Sequence, residues 1–407
     1  MPLPAPIVVF DDGIESLGVL ADLRPIFGVR TGAMTFEERL VAHFGASAIA
    51  AWWVPEAKRS LCAEIAAVPV SDAGALPADV LVVNGRCVLP PPGLHSLAAG
   101  DAIVDPVSGA VVAGRLTGDA ARALLQAGSM PAGTRTISPA EPVRMITDPW
   151  DVIRHRDAAL AWDLDRFVQR AQWGPPGGVV RVGTHAVECA PTVTVFPGAV
   201  LDSTAGPIVI DDHAVLRSNC VVCGPAYIGK GSTVLEGAVV RSNCAIGPVC
   251  KVNGEVSGII MQGHANKAHD GYAGDTWMGA WVNLGAGTIT SNLLNTYGEI
   301  VAQASPSAKR QKTGLTFFGS IIGDHVKTAI GTRLMTGSVI GTGAMVAMSA
   351  HAPTAIGRFA WLTDAGERSY RAEKFLEVMH AVMGRRKIEP GAAYIATIRA
   401  LISSGAM

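Results

Sequence analysis

Residues 210–252 read IDDHAVLRSNCVVCGPAYIGKGSTVLEGAVVRSNCAIGPVCKV. An aliphatic residue recurs here at every sixth position, and two of them, Ile228 and Ile246, are followed directly by glycine. The eight positions are Ile210, Leu216, Val222, Ile228, Val234, Val240, Ile246 and Val252. This period differs from that of a helix or an ordinary strand and is typical of a solenoid that turns a corner every six residues. The pattern predicts a left-handed parallel β-helix whose aliphatic side chains point into a narrow prism.

The same period returns twice further along the chain. After a shift of two residues, it predicts inward-facing side chains at Ile260, Asn266, Tyr272, Met278, Leu284 and Thr290. After a second shift and a long excursion, it predicts inward-facing side chains at Ile322, Thr328, Leu334, Ile340 and Val346. A solenoid breaks its period where a loop leaves the prism, and such loops often carry binding groups. We therefore expect functional loops near residues 253–259 and 291–321.

Size and charge limit the classes of function. The 407 residues are enough for two domains with separate cores. The net charge of -1, from 33 basic and 34 acidic residues, gives no global field that would attract nucleic acid or acidic membranes. The opening residues, MPLPAPIVVF, lack a basic start, and no apolar stretch approaches the roughly 20 residues of a membrane helix. We expect a soluble cytoplasmic protein without nucleic-acid or membrane partners.

The cysteines do not indicate a metal or redox centre. Four of the seven lie within the ladder, at Cys220, Cys223, Cys244 and Cys250. Cys220 and Cys223 form a single CxxC without a second pair at zinc spacing. This arrangement favours small side chains stacked in the prism over a zinc or redox site.

The chain divides into four predicted segments. Residues 1–147 alternate strand and helix patterns, which is typical of an α/β open sheet. Residues 148–179 form a linker helix over 149–172 and a loop with GlyProProGly at 174–177, residues 180–352 form the β-helix, and residues 353–407 are helical. The predicted strands are Ile7–Phe10, Ala48–Trp53 and Val80–Val83, followed by a hairpin over Ala102–Leu116. The predicted helices are Phe36–Phe44, Pro55–Ala67, Gly118–Ala127, Tyr370–Met383 and Gly391–Ile402.

The segment 266–292, NKAHDGYAGDTWMGAWVNLGAGTITSN, is the most specific stretch of the chain. It resembles the acetyltransferase half of the bifunctional N-acetylglucosamine-1-phosphate uridyltransferase / glucosamine-1-phosphate acetyltransferase. The residues that match this family's pattern are His269, Tyr272, Gly274, Asp275, Asn283, Gly285–Thr290 and Asn292. GPAYIG at 224–229, FDD at 10–12 and MGRR at 383–386 resemble a sister group, the bacterial sugar nucleotidyltransferase-like proteins with a shortened N-terminal domain. The resemblance covers almost the whole chain and is strongest over residues 200–350.

The resemblance implies an acyl transfer from a CoA thioester with His269 as the general base. An imidazole suits this step because it titrates near neutral pH and accepts the proton that an attacking amine or hydroxyl loses. In the family an acidic residue 14 positions earlier orients this histidine, and Glu255 stands at that position. The alternative is that His269 is an ordinary loop histidine bonded to a backbone carbonyl.

The resemblance also implies roles for neighbouring residues. Tyr272, Asn283 and Asn292 match positions that bind the acceptor sugar, although an asparagine that only stacks in a solenoid ladder is an equal alternative for any one of them. Ala286 matches a position whose main chain meets the acyl thioester, so acetyl-CoA or another acyl-CoA is the expected co-substrate.

Three departures from the family pattern affect the expected acceptor. The family's phosphate-binding lysines are replaced by Ser257 and Gly298, and a tyrosine is replaced by Leu293. Each missing charge removes a contact of about 1.5–3 kcal/mol. Glucosamine 1-phosphate is therefore disfavoured as the acceptor. The excursion carries Lys309, Arg310 and Lys312, which either replace these charges, contact CoA phosphates or form a solvated basic loop.

His264 and His269 allow an alternative from another class. Their HxxxxH spacing on a β-helix also resembles the γ-class carbonic anhydrases, in which three histidines from neighbouring subunits bind zinc and activate water. The third ligand would have to be His213 or a residue that the sequence does not identify. Metal analysis would distinguish this reading from acyl transfer.

In the N-terminal segment, Asp11 and Asp12 follow the first predicted strand, where open sheets place ligands. They are candidate ligands for Mg²⁺ beside nucleotide phosphates, and a simple turn is the alternative. Arg24, Arg30, Asn84 and Arg86 lie in segments that resemble the shortened nucleotidyltransferase domain. The glycine-rich LxxGxGxR loop of working sugar pyrophosphorylases is absent. The segment is therefore either a sugar 1-phosphate nucleotidyltransferase or a binding module that serves the acyltransferase.

We expect acyl transfer to an amino or hydroxyl group of a sugar phosphate or nucleotide sugar. The family resemblance implies a homotrimer with the CoA groove between neighbouring subunits. The first alternative is a nucleotidyltransferase that uses the β-helix for trimerisation, and the second is the zinc enzyme.

Overall fold

The computed structural model describes residues 3–128, 130–139, 141–171, 173–175 and 177–405. The predicted end of the linker helix, Gln172, and Pro176 of the turn after it lie outside these residues. The chain forms two compact units. Unit 1 takes its described residues from 1–29, 34–147 and 391–397, and unit 2 takes them from 30–33, 148–390 and 398–407.

Unit 1 is built on a mixed sheet with the strand order β2-β1-β3-β5-β4-β6. The strands are β1 (Ile7–Phe10), β2 (Ile49–Trp53), β3 (Asp79–Asn84), β4 (Asp101–Val104), β5 (Val111–Thr117) and β6 (Arg135–Ile137). Its helices are α1 (Gly18–Ala21), α2 (Phe36–Phe44), α3 (Glu56–Ala63) and α4 (Gly118–Ala127). β1 pairs in parallel with β2 and β3, whereas β5 runs antiparallel to β3 and β4. The predicted α/β sheet and its hairpin are therefore present.

The strands of unit 1 form because their side chains are apolar on both faces. Ile7 and Val9 pack on one face of the sheet with Leu40 of α2, and Val8 and Phe10 pack on the other face with α4. Helix α2 begins with a capping box in which the Thr35 side chain and the N3 glutamate each accept a backbone N–H. A sheet covered on both faces leaves its carboxyl edge as the place for a cleft.

Unit 2 is a parallel β-solenoid with three faces, as predicted. Face A contains Val180–Val182, Val200–Asp202, Val221–Cys223, Val239–Val240, Glu255–Ser257 and Tyr272–Gly274. Face B contains Val187–Cys189, Ile208–Ile210, Ala226–Ile228, Cys244–Ile246, Ile260–Met261, Trp277–Met278, Ser320–Ile322, Ser338–Ile340 and Ala355–Ile356. Face C contains Thr194–Val195, Val215–Leu216, Thr233–Val234, Lys251–Val252 and Asn266–Lys267, and it continues through a bridge at Asn283 to Lys327–Thr328, Met345–Ala347 and Ala360–Thr363.

The aliphatic ladder fills the prism. All eight residues from Ile210 to Val252 have no exposed side-chain surface, and they belong to one continuous hydrophobic cluster. Cys220, Cys244 and Cys250 lie in the same cluster, and Cys223 is half-buried. Each aliphatic residue fully removed from water stabilises the fold by roughly 1.5–3 kcal/mol before the cost of chain ordering. The prism is therefore the main source of cohesion in unit 2.

The predicted phase after Val252 is wrong by one residue. Val240 pairs with Val256, Ile246 pairs with Met261, and Val252 pairs with Lys267. The inward-facing residues are therefore Met261, Lys267 and Ala273 rather than Ile260, Asn266 and Tyr272. The cause is a corner shortened by one residue: Val256 and Met261 are five residues apart instead of six, and Gly258 at φ 57° lies between them. The prediction is correct again from Met278, Leu284 and Thr290 onward, and Ile322, Leu334, Ile340 and Val346 are buried as expected.

The helices of unit 2 pack around the solenoid. The linker consists of two helices, α5 (Asp151–Arg154) and α6 (Arg156–Ala171), and α6 lies on the strands of face B. Phe167 of α6 stacks on Tyr227 with ring centroids 5.3 Å apart. Beyond residue 352 the solenoid continues through Ala355–Ile356 and a hairpin of Ala360–Thr363 with Gly366–Ser369. The last helices are α7 (Ala372–Gly384) and α8 (Ala392–Gly405), and α8 contributes residues to both units.

Candidate functional site

His269 occupies the corner between face C and face A. The corner joins Asn266–Lys267 to Tyr272–Gly274, and the His269 side chain is exposed there. The ring therefore projects from the prism instead of filling it. An imidazole in this position is accessible to a substrate that docks on the outside of the solenoid.

Lys267 lies inside the prism directly before this corner, where the sequence pattern predicts an outward side chain. It is 2% exposed, and its Nζ donates to the backbone oxygen of Asn253 at 2.9 Å and to that of His269 at 2.5 Å. Burial lowers the pKa of Lys267 to about 8, an effect that the negative charge of Asp270 opposes. The ammonium thus ties together two successive corners, one of which carries His269. The correct strand register, in which Lys267 pairs with Val252, would have predicted this inward-facing lysine from the sequence.

Glu255, the predicted orienting acid, lies on face A opposite Tyr272. Its Oε1 accepts from Nε of Arg241 at 2.5 Å. Both side chains of this pair are about half exposed, at 40% for Glu255 and 56% for Arg241. Within the described chain its ionic partner is Arg241, and its action on His269 stays a prediction.

Tyr272 and Asn292 are joined in a hydrogen-bond network. Nδ2 of Asn292 donates to the Tyr272 hydroxyl at 3.2 Å and to Oδ2 of Asp275 at 2.7 Å. Burial raises the pKa of Tyr272, and the charges of Asp275 and Glu255 act in the same direction. Gly274 leaves room for the network, because a Cβ there would lie 2.3 Å from the tyrosine hydroxyl. Two of the three predicted acceptor residues are therefore held together.

Asn283 lies on another face. It bridges Asn266 and Lys327 on face C, and its Oδ1 accepts from Nδ2 of Asn266 at 3.3 Å. Arg386 extends this row by donating to Oδ1 of Asn266 at 2.9 Å. Ala286 is exposed just after it, and the Ala286 carbonyl accepts from the backbone N–H of Gly331. A single chain therefore does not bring Asn283 together with Tyr272 and Asn292, and the ladder interpretation of Asn283 stays open.

The predicted excursion is an ordered loop fixed to helix α5 and the residues before it. It contains a hairpin of Val301–Ala302 with Gln311–Lys312. Arg154 donates to the Thr313 carbonyl, and Gln311 donates to Asp148 at 2.5 Å. Lys309 and Arg310 are exposed, whereas Lys312 lies 3.6 Å from Glu299. Contacts of Lys309 and Arg310 with a cofactor stay a prediction.

A cavity at the C-terminal end of the solenoid was not predicted from the sequence. It measures about 630 Å³ and is lined by aromatic and basic side chains. The lining residues are Trp361, Thr363, Arg368, Ser369, Tyr370, Arg371 and Lys374. The rings of Trp361 and Tyr370 meet edge to face at 4.7 Å. Cations beside aromatic surfaces suit a phosphorylated ligand with a planar ring.

Unit 1 has a cavity of about 1300 Å³ at the carboxyl edge of its sheet, lined by Asp11, Asp12 and Asn84 among others. Asp11 accepts from Lys58 at 2.8 Å and from the backbone of Ile26 at 3.1 Å. Asp12 is bound by Arg86 at 2.8 Å and by Nδ2 of Asn84 at 3.1 Å. Both carboxylates are therefore already neutralised by side-chain cations.

These residues do not fit a magnesium site. Each carboxylate has its own cation, and across the residues that the structure describes no three His, Cys, Asp or Glu side chains are grouped to hold a metal. Arg24 donates to the Leu20 carbonyl at 2.8 Å. Arg30 belongs to unit 2, where its N–H donates to Gln262 at 2.8 Å and its carbonyl accepts from Trp277 at 3.0 Å. A role of Arg30 in substrate binding stays a prediction.

The histidines of the zinc alternative are dispersed over the solenoid corners. The His264 ring stacks on Trp281 at 4.4 Å, and burial lowers its pKa with a smaller contribution from Arg386. His213 is exposed at a corner with φ 57°. The zinc alternative stays a prediction.

Among the described helices, none combines the length and apolar composition needed to cross a membrane.

Comparison with known proteins relates the chain to sugar nucleotidyl transferases. Residues 7–172 match a family model described as sugar nucleotidyl transferase. The bifunctional protein GlmU of Paraburkholderia xenovorans is 33% identical over 26% of this chain and 27% of its own length. GlmU of Nitratidesulfovibrio vulgaris strain DP4 is 27% identical over 42% of this chain and 39% of its own length.

These matches agree with the resemblance found in the sequence: the chain is related to GlmU-like proteins, although it spans less than half the length of either relative. A solved hexapeptide transferase family protein from Anaplasma phagocytophilum covers 54% of this chain and 96% of its own, at 16% identity and a TM-score of 0.23.

Proposed function

We propose that this chain is a transferase that moves an acyl group, with acetyl as the first candidate, from CoA to an amino or hydroxyl group of a sugar phosphate or nucleotide sugar. The observation that carries the proposal is the exposed His269 ring at the corner next to Tyr272. The match to GlmU-type relatives supports the same class of chemistry.

In this reaction the acceptor nitrogen or oxygen forms a bond to the thioester carbon as the carbon–sulfur bond breaks. His269 takes the proton that the acceptor loses, and this proton then neutralises the departing CoA thiolate. Glu255 is the proposed orienting acid. For that role its carboxylate would have to exchange Arg241 for the imidazole, because it is bound to Arg241 in the single chain.

Tyr272 and Asn292 are the proposed acceptor contacts on face A. Their hydroxyl and amide groups suit the oxygens of a sugar. Ser257, Gly298 and Leu293 replace the family's phosphate and tyrosine contacts, so we propose an acceptor other than glucosamine 1-phosphate. Asn283 would join the same acceptor only from a second copy of the chain, because it lies on face C.

The separation of faces A and C supports a homotrimer in which neighbouring copies complete each site. The CoA groove would run between copies, with the Ala286 main chain near the thioester. Two basic regions are available for the CoA phosphates, the exposed pair Lys309 and Arg310 and the C-terminal cavity with Arg368. The cavity is the better candidate because it combines cations with two aromatic rings.

The test is release of CoA thiol from acetyl-CoA across a panel of amino- and hydroxyl-bearing sugar phosphates and nucleotide sugars. We expect His269→Ala to lower kcat by about 100-fold or more, the contribution of a positioned general base. His185→Ala, which removes an exposed histidine near the start of the solenoid, is the matched control and should retain full activity. Equal turnover in His269→Ala and wild type would remove this residue from the mechanism.

A second candidate function is nucleotidyl transfer by unit 1. The family match over residues 7–172 and the 1300 Å³ cavity favour it, whereas the neutralised Asp11 and Asp12 disfavour a metal-dependent form. Pyrophosphate release from a panel of nucleoside triphosphates and sugar 1-phosphates tests it. Silence across the whole panel would leave unit 1 as a binding module for the acyltransferase.

A further inference from the structure

Arg156, at the start of helix α6, reaches the corner between faces A and B of the solenoid. Its Nη1 donates to Oδ1 of Asp275 at 2.6 Å and to the Gly258 carbonyl at 2.8 Å. Its Nε donates to Asp157 at 2.7 Å. Arg156 is 8% exposed and Asp275 is 9% exposed, so their ion pair is largely shielded from water. The linker helix therefore contributes a buried charge to the solenoid surface.

The chain of contacts continues from Asp275 to Tyr272. Asp275 uses Oδ1 for Arg156 and Oδ2 for the Asn292 amide, and the same amide nitrogen donates to the Tyr272 hydroxyl. Since both amide hydrogens of Asn292 are directed into this network, its Oδ1 is left to accept a hydrogen bond from a ligand. A hydroxyl or amino group of an acceptor provides such a donor.

We propose that Arg156 is a positioning residue for the acceptor site, acting through Asp275 to fix the amide of Asn292 and the hydroxyl of Tyr272. This inference rests on the proposed acyl transfer. Arg156 holds the Asp275 side chain in place, Asp275 sets which end of the Asn292 amide faces outward, and the site thereby selects ligands that donate a hydrogen bond.

The local backbone is arranged around this contact. Gly258 adopts φ +57°, and a Cβ there would lie 2.2 Å from Nη1 of Arg156. The guanidinium thus occupies the space that a side chain at residue 258 would fill. A contact that only holds α6 on the solenoid would need just the hydrogen bond to the Gly258 carbonyl. The hydrogen bond to Asp275 in addition connects Arg156 to Asn292 and Tyr272.

The test compares Arg156→Gln with Asp157→Asn, which removes only the outer partner of Arg156, a side chain that is 61% exposed. We expect Arg156→Gln to raise the acceptor KM about tenfold, the effect of one lost hydrogen bond of about 1.4 kcal/mol, with an acetyl-CoA KM that stays within about twofold of wild type. Asp157→Asn should leave both values unchanged. Arg156→Lys, which keeps the charge but not the planar fork, should give an intermediate acceptor KM and serves if the glutamine variant does not fold.

A second readout does not depend on turnover. The ionisation of Tyr272 is followed by absorbance against a Tyr272→Phe reference, and we expect Arg156→Gln to shift it to higher pH, because Asp275 loses its cation and the Asn292 donor is released. This titration tests the network even if wild type transfers no acyl group, so failure of the proposed function is separable. An unchanged Tyr272 titration in Arg156→Gln would overturn the inference. A shifted titration with an unchanged acceptor KM would also overturn the positioning role and leave Arg156 with a purely structural contact.

Discussion

Replacing Lys267 by methionine tests whether an ammonium group really lies inside the prism. In the folded chain burial lowers the Lys267 pKa from its ordinary 10.5 to about 8. Because the folded pKa is the lower one, the folded state binds fewer protons than the unfolded state between pH 8 and 10.5. The charge therefore opposes folding fully below about pH 8, and this cost disappears as the pH rises toward 10.5. At 1.36 kcal/mol per pKa unit, the cost is about 3 kcal/mol.

Methionine has a similar length and no titrating group, so the Lys267→Met protein should lack this pH dependence. We expect the free energy of unfolding of wild type, relative to the variant, to increase by about 3 kcal/mol between pH 7 and pH 10.5. Equilibrium urea denaturation at a fixed protein concentration and a series of pH values measures this difference. Lys327, whose pKa burial also lowers to about 8, is present in both proteins and cancels.

Lys251→Met is the matched control. Lys251 lies on the neighbouring strand of face C with an exposed side chain, so its replacement should leave the pH dependence of stability unchanged. A constant difference between wild type and Lys267→Met across the pH range would refute an inward-facing ammonium, and with it the five-residue step from Val256 to Met261.

Two further predictions concern buried charges and the acceptor side of the site. Lys58→Met leaves the Asp11 carboxylate, whose side chain is 2% exposed, without its cation, and should lower the free energy of unfolding by about 3 kcal/mol. Adding Asp11→Asn in a double variant should restore most of this loss, and additive losses of the two single variants would contradict the pairing. Gly258→Ala should lower the melting temperature and raise the acceptor KM, because the added Cβ displaces Arg156. The control Gly237→Ala, at φ +67° with open space around it, should lower the melting temperature alone. Equal acceptor KM values in the two variants would argue against a role of Arg156 in positioning the acceptor.

The architecture was predictable because the inside of the prism accepts few side chains. The ladder from Ile210 to Val252 records that restriction directly in the sequence. The phase after Val252 was not predictable, because Ile260 and Met261 are both aliphatic and both fully buried. Nothing in their residue types shows which one faces the prism. Only the length of the corner around Gly258 decides this, and the loss of one residue from a corner leaves no periodic signal.

The candidate site was predictable only in part. The motif around His269 identified the corner and the residues near it, because those residues are close in sequence. Arg156 and Asp275 are far apart in sequence, and their pairing depends on how α6 lies on the solenoid. In unit 1, the adjacent Asp11 and Asp12 suggested a metal site. Their cationic partners, Lys58 and Arg86, lie in distant segments of the sequence, so the ion pairs were not predictable from the motif.

The five-residue step from Val256 to Met261, around Gly258, works like a change of reading frame. Shortening a turn by one residue exchanges lumen and surface for the side chains that follow, while every strand keeps its place in its sheet. By this one change Tyr272 and Asn266 come to face outward and Lys267 comes to face inward. Loss or gain of a single residue at a corner thus offers repeat proteins a way to acquire new surface chemistry without altering the composition of their strands.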